Sequence, residues 1–259
     1  MAAPKEKTNI VTLIVYDFET GGLDCNRCAA TQISLHFVRL DTFEVMEKYN
    51  AYIYPYNKKA DMGKPKKKTL KSKYDVEEEE LMDYENRALE VSGITMDMLY
   101  SMGKPLEDVC AEICDAIERN TFPVSSANKP VLVGQNPLFD SGFMQQIMVY
   151  SGMWARFCKL VRGSKDFFGN FQPVQLDTIT LAQMTFGNDK SVMTWKLEMS
   201  AEKLNIELDD AHDADADVTA TREIVRVLTA RMRNSDGNSN AVGSLAVEKR
   251  EKLRDHFKI

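Results

Sequence analysis

The sequence predicts an α/β fold: a mixed central sheet that contains an antiparallel three-strand meander and is flanked by helices. Three observations carry this. Residues 11–23, VTLIVYDFETGGL, form a continuous apolar run that ends in acids and a glycine turn, the pattern of a strand buried on both faces. Two more apolar-rich segments, 32–40 and 45–54, follow after short connections, which favours antiparallel pairing. Further on, the short apolar run 131–133 leads through a Gly-Gln-Asn-Pro turn straight into a helical pattern, the strand-to-helix alternation of an α/β domain.

The first strand carries the chemistry. Side chains alternate along a strand, so Asp17 and Glu19 leave it on one face. Two like charges at the end of a core strand repel and are costly to bury unless a cation lies between them. A divalent metal is the simplest candidate; a solvated strand end with two incidental acids is the plain alternative.

Residues 57–85 break the pattern as a charged insertion, a lysine-rich run (KKADMGKPKKKTLKSK) followed by an acidic one (YDVEEEELMDYE). Opposite charge blocks suit a solvated loop that neutralises itself. Alternatively its lysines, Lys66, Lys67 and Lys68 among them, project over the site and follow a phosphate backbone. Pro105 then opens a helix with Leu106, Val109, Cys110, Ile113 and Ile117 on one face. The helix expected over 138–152 carries Asp140 in its first turn and Phe139, Phe143 and Ile147 on an apolar stripe. An acid there is often only a partner of the helix dipole, but this one stands just past a strand end. A short strand over 174–177 and helices over 178–186 and 194–204 follow.

The closing helix, 213–232, presents Val218, Thr221, Val225 and Leu228 to the core. His212 and Asp217 would lie about 140° apart on one continuous helix, so they share a site only if His212 belongs to the loop before it. Asp213 and Asp215 compete with Asp217, and an acid-rich helix start also follows from the dipole alone. Residues 231–259 read as a polar linker, NSDGNSN, and a short charged helix near 244–257.

Composition narrows the function classes. A chain of 259 residues with 44% hydrophobic content can bury one sizeable core. It contains no apolar run of membrane-spanning length and no signal-peptide pattern at MAAPKEKTN, so a soluble intracellular protein is expected, in the cytoplasm or another interior compartment. Five cysteines in such a chain are expected as thiols, and the single CxxC, Cys25 and Cys28, is a weak zinc signal beside only three histidines. A net charge of −6 argues against bulk electrostatic binding of duplex; it leaves room for a local basic groove or a metal-dependent enzyme.

Together the pieces resemble one family. DFETGGL followed by the QIS strand, VGQNPLFD opening a helix, and HDADAD with its H-x4-D spacing are similar to the three motifs of the DEDDh group of DnaQ-like 3′-5′ exonucleases, proofreading-exonuclease type, whose fold is ribonuclease H-like. RALEVSGIT, LDTITLA and KLEMSAEKLNI resemble connecting stretches of the same group. The resemblance spans residues 9–230. It implies that Asp17, Glu19, Asp140 and Asp217 hold two divalent metal ions, Mg²⁺ or Mn²⁺, with His212 as general base, and it favours Asp217 over Asp213. Oxygen-only ligands suit such hard cations. It further implies that Thr20, Gly21, Gly22 and Leu23, with Asn136 and Phe139, contact the terminal nucleotide; Gly21 stands where the group usually has a second threonine. The expected activity is hydrolysis of single-stranded or frayed 3′ ends, DNA before RNA, releasing nucleoside 5′-monophosphates in proofreading or end trimming. RNA trimming is the alternative within the group. A non-catalytic nucleic-acid-binding subunit, docked on a DNA polymerase or replication complex, is the alternative outside it.

Overall fold

The structure, a computed structural model, describes residues 10–59, 80–122, 128–208 and 213–234. His212, the lysine-rich run from residue 60 and the tail after residue 234 lie outside the described residues.

Three antiparallel strands come first: β1 (Thr12–Thr20), β2 (Ala30–Arg39) and β3 (Val45–Tyr52). The short helices α1 (Asn86–Ser92) and α2 (Met96–Met102) lead to α3 (Leu106–Arg119). Then β4 (Val131–Gly134) enters the sheet parallel to β1 and runs into α4 (Pro137–Tyr150) and α5 (Trp154–Leu160). A small hairpin, β5 (Gly163–Lys165) and β6 (Phe171–Pro173), precedes β7 (Gln175–Asp177), which pairs parallel with β4. The chain continues through α6 (Thr178–Phe186), α7 (Leu197–Leu204) and α8 (Ala214–Asn234). The main sheet has the order β3-β2-β1-β4-β7, the mixed sheet with a three-strand meander that the sequence predicts.

The parity of β1 divides the molecule. Ile14, Tyr16 and Phe18 face one core, shared with α3, α4 and α5 through residues such as Ile113, Phe143 and Phe157. Leu13 and Val15 face the other, where Val218 and Val225 of α8 cover the sheet. Asp17 and Glu19 continue the second set, so the strand that builds the core also aims both acids at α8. Because β1 and β4 are parallel, their C-terminal ends lie together, the place where open α/β sheets bind ligands.

The elements the sequence did not reveal are those too short for a period. The helices α1, α2 and α5 have seven residues each, and β5 and β6 three each, under two full repeats of the helix or strand pattern and too few to establish a period. The strand β1 also runs further than its apolar run, through DFET. Asp17 pairs opposite Ser34 and Glu19 opposite Gln32, with a bulge between Glu19 and Thr20. Residues 80–85, expected as the tail of an insertion, are stitched to the fold. Lys58 N–H donates to Glu80 O at 2.7 Å, Met82 N–H to Tyr56 O at 3.0 Å, and Glu85 N–H to Gly21 O at 2.7 Å. Among the described residues, no helix is long and apolar enough to cross a membrane.

Candidate active site

Where β1 ends, three carboxylates converge. Asp17, Glu19 and Asp217 each place one oxygen within 4.8 Å of the other two, all three half-buried. Asp140 comes from α4 on the other side of β1, nearly fully buried, and its Oδ1 accepts the N–H of Phe18 at 3.2 Å. All four line one cavity of about 650 Å³. A second hollow of about 480 Å³, beside α7, shares Asp17, Gln135 and Asp217 with it.

The acids are crowded beyond what burial alone imposes. Burial raises the Asp17 carboxyl well above the usual range, and the charges of Asp140, Asp217 and Glu19 raise it further. Glu19 is pushed up to about 8 by burial and by Asp217, Asp213 and Asp140. Asp140 is raised to about 7 by burial, against the pull of the Phe18 N–H. Repulsion of this kind is what a bound divalent cation relieves, and an oxygen-only donor set fits Mg²⁺ or Mn²⁺. The CxxC offers no comparable site. Cys25 and Cys28 belong to no metal-competent group among the described residues; Cys28 Sγ donates to Glu85 Oε1 at 3.7 Å, and burial raises both thiols.

The sequence-predicted substrate residues surround the acids. Thr20, Gly22 and Leu23 from the β1 turn line the cavity with Asn136 and Phe139 from the start of α4. Leu23 is 84% exposed, an apolar side chain standing free at the rim. Phe139 is half-buried and serves twice, lining the cavity while its ring packs 5.2 Å from that of Phe143. The Thr20 hydroxyl donates to Gly22 O at 2.8 Å, so it shapes the turn. Asn136 adopts the left-handed conformation (φ 55°, ψ 50°), which asparagine tolerates better than most residues, and its N–H donates to Asp177 Oδ1 at 3.1 Å.

Gly21 is the one member of that set that does not line the cavity. A Cβ there would lie 2.6 Å from the carbonyl oxygen of Asp83. The glycine in place of a threonine is thus required by the close passage of residues 83–85.

Sequence reasoning missed the opposite wall, which Glu85, Arg87, Ala88 and Val91 supply. Three of them belong to RALEVSGIT, noted only as a connecting stretch; Glu85, whose N–H donates to Gly21 O, brings that stretch to the site. It also gave Gln135 no role. This side chain sits where the two hollows meet, with Nε2 donating to Trp195 O at 2.8 Å and Oε1 accepting from the Thr178 hydroxyl.

No family model matches the chain. Among solved structures it is similar to E. coli Exonuclease I in complex with a dT13 oligonucleotide, at 18% identity and a TM-score of 0.57, covering 87% of this chain and 42% of that one. It is equally similar to the moderately thermophilic Exonuclease I from Methylocaldum szegediense, at 19% identity, TM-score 0.57, covering 87% and 41%. A product-bound exonuclease I matches at 18% identity and TM-score 0.57, covering 86% and 44%. The chain therefore spans about two fifths of the length of these proteins. At such identities the likeness establishes the fold, the ribonuclease H-like α/β architecture.

Proposed function

We propose that this chain is a divalent-metal-dependent 3′-5′ exonuclease that removes nucleoside 5′-monophosphates from single-stranded or frayed 3′ ends, DNA in preference to RNA. The observation that carries the reading is the convergence of Asp17, Glu19 and Asp217, with Asp140 beside them, on the floor of one cavity rimmed by an exposed leucine and a half-buried phenylalanine. The DNA preference is supported by Exonuclease I structures that hold dT13 and dA16 oligonucleotides.

In this reading Asp17, Glu19, Asp140 and Asp217 hold two metal ions, Mg²⁺ or Mn²⁺. When bound, such ions lower the pKa of water and stabilise the departing 3′-oxygen. The chain's own groups do the rest. Leu23 wedges against the terminal base and Phe139 offers an apolar face, contacts that any base satisfies. Gln135 and Asn136 give hydrogen-bonding groups along the cavity floor. His212, outside the described residues, is assigned the proton of the attacking water on the strength of the resemblance of HDADAD to the third exonuclease motif, a task that suits a histidine.

The test is digestion of matched 5′-labelled single-stranded DNA and RNA with Mg²⁺, Mn²⁺ or EDTA, with Asp17→Asn alongside. The expected result is a ladder shortening from the 3′ end, faster on DNA, absent with EDTA and in the variant. Faster RNA digestion would replace the DNA preference with RNA trimming. A folded protein that gives no ladder with any metal would overturn the catalytic reading in favour of a binding subunit, and co-purification with a polymerase would then be the next observation to seek.

A further inference from the structure

Three acids crowd the start of α8, and only Asp217 reaches the carboxylate group. The other two are held by a polar stripe on β2. Gln32, Ser34 and His36 occupy alternate positions of that strand, all buried in the sheet face under α8. Such a stripe is costly in a core unless every group finds a partner. Each does. Gln32 Nε2 donates to Asp213 Oδ2 and to Asn50 Oδ1, both at 3.1 Å. Ser34 Oγ donates to Asp215 Oδ1 at 3.0 Å, and His36 Nε2 lies 2.9 Å from the same oxygen. On the far side of the ring, Arg222 Nη1 lies 3.4 Å from His36 Nδ1. A guanidinium only donates, so Nδ1 accepts and Nε2 carries the hydrogen that Asp215 receives.

Asp213 also bears on the helix itself. Asp213 Oδ1 accepts the N–H groups of Asp215 and Ala216 at 3.0 and 3.2 Å, capping the first turn. Asp217 N–H donates to Asp213 O at 3.0 Å. The stripe and the acids meet the site at a fixed register, since Gln32 is paired with Glu19 and Ser34 with Asp17 across the β1–β2 ladder. Rotating α8 by a single residue would carry Asp217 about 100° away from those acids.

We propose that Gln32, Ser34 and His36, acting through Asp213 and Asp215, are positioning residues that set the phase of α8 and so hold Asp217 in the metal-binding group. The proposal rests on the reading of that group as a divalent-metal site. Partners of this kind behind a metal ligand commonly change affinity by about 10–100-fold when removed.

The test is Mn²⁺ binding to the full chain by electron paramagnetic resonance, alongside near-ultraviolet circular dichroism. Asp215→Leu removes the acceptor; Asp215→Asn keeps an oxygen for Ser34 and His36. Expected are a loss of Mn²⁺ affinity of about tenfold or more in Asp215→Leu and affinity close to wild type in Asp215→Asn. Unchanged affinity in a folded Asp215→Leu overturns the proposal, as does an equal loss in Asp215→Asn. If Asp215→Leu does not fold, Ser34→Ala decides: weaker Mn²⁺ binding supports positioning, and unchanged binding overturns it. Wild-type protein that binds no Mn²⁺, or an Asp217→Asn variant that binds it as well as wild type, would instead overturn the metal reading beneath.

Discussion

Replacing Asp17 by asparagine separates what the carboxylate does for chemistry from what it costs the fold. Asp17 lies among four other acids, Asp140, Asp217, Glu19 and Asp213, that all raise its pKa, so its charge is a burden to the metal-free protein and an asset once a cation is bound. Asp17→Asn is expected to lower turnover on the order of 10³-fold while raising the melting temperature in EDTA, by roughly 2–4 °C for each kcal/mol of repulsion relieved. A scanning fluorimetry trace in EDTA beside the nuclease assay checks both; a lower melting temperature in the variant would mean that the acids are not crowded. Arg87 poses the complementary question. It is the one cation among the described residues lining the main cavity, beside five acids, where the proposed function would have an anionic strand pass. Arg87→Ala is expected to weaken binding of single-stranded DNA to protein carrying Ca²⁺ and to reduce the slope of log affinity against log salt by about one, and an unchanged slope would place Arg87 off the strand path. These two residues differ in legibility. The acids of DFET were readable because strand parity is a local rule, whereas Arg87 reaches the cavity through contacts between segments far apart in sequence.

At the scale of elements, Gln146 shows how the site-bearing turn is fixed. It lies on the buried face of α4, 2% exposed, in a helix whose other buried positions are mostly apolar. Its Nε2 donates to Cys28 O at 2.9 Å and to Cys25 O, and its Oε1 accepts from Tyr56 Oη at 2.6 Å. Tyr56 Oη in turn accepts the N–H of Ala30 at 2.8 Å. One side chain thereby ties α4, the turn after β1 and the strand exit beyond β3. Gln146→Leu would take the donor from those carbonyls and the acceptor from the tyrosine O–H, at about 1–3 kcal/mol for each group stranded. The expected outcome is a large fall in urea midpoint at unchanged slope, with substrate affinity reduced as the Leu23 turn loosens; a midpoint within error of wild type would mean that water replaces the amide. Gln146 was invisible to a helical-stripe reading, which noted Phe139, Phe143 and Ile147 and passed over a buried amide. Long elements were legible for the opposite reason. The strand β2, with ten residues, and α3, with fourteen, repeat their pattern often enough to declare it. The polar face of β2 was not legible as such, because its partners lie about 180 residues away on α8.

At the scale of the whole molecule, the site sets how stability depends on pH and metal. The chain carries a net charge of −6, and Asp17, Glu19, Asp140 and Asp217 sit together where two helices and the central strand meet. In the metal-free state Glu19 is raised to about 8 and Asp140 to about 7, with Asp17 raised as well. Carboxylates raised in the folded state make it bind more protons than the unfolded chain. Stability must therefore fall as pH climbs from the unfolded carboxylate range, about 4, through these folded values. The penalty is absent below that window and is still growing as pH passes 8, where Glu19 is ionising. Ordinary paired surface acids work the other way. Asp41, held low by Arg39, and Asp189, lowered to about 2 by Ser191 and Lys203, lose their contribution only in strong acid. Between pH 5 and 8.5 the crowded cluster thus pulls stability down as pH rises, opposed at the acid end by buried His36, whose pKa burial lowers. The melting temperature in EDTA is expected to decline across that range, and saturating Mg²⁺ is expected to flatten the profile and raise it most at the alkaline end, since a ligand that binds only the folded state stabilises it by mass action. Differential scanning calorimetry with and without Mg²⁺ measures this directly. An EDTA profile that is level or rising would show that the carboxylates tolerate one another without a cation, and would remove the physical reason for placing a metal among them.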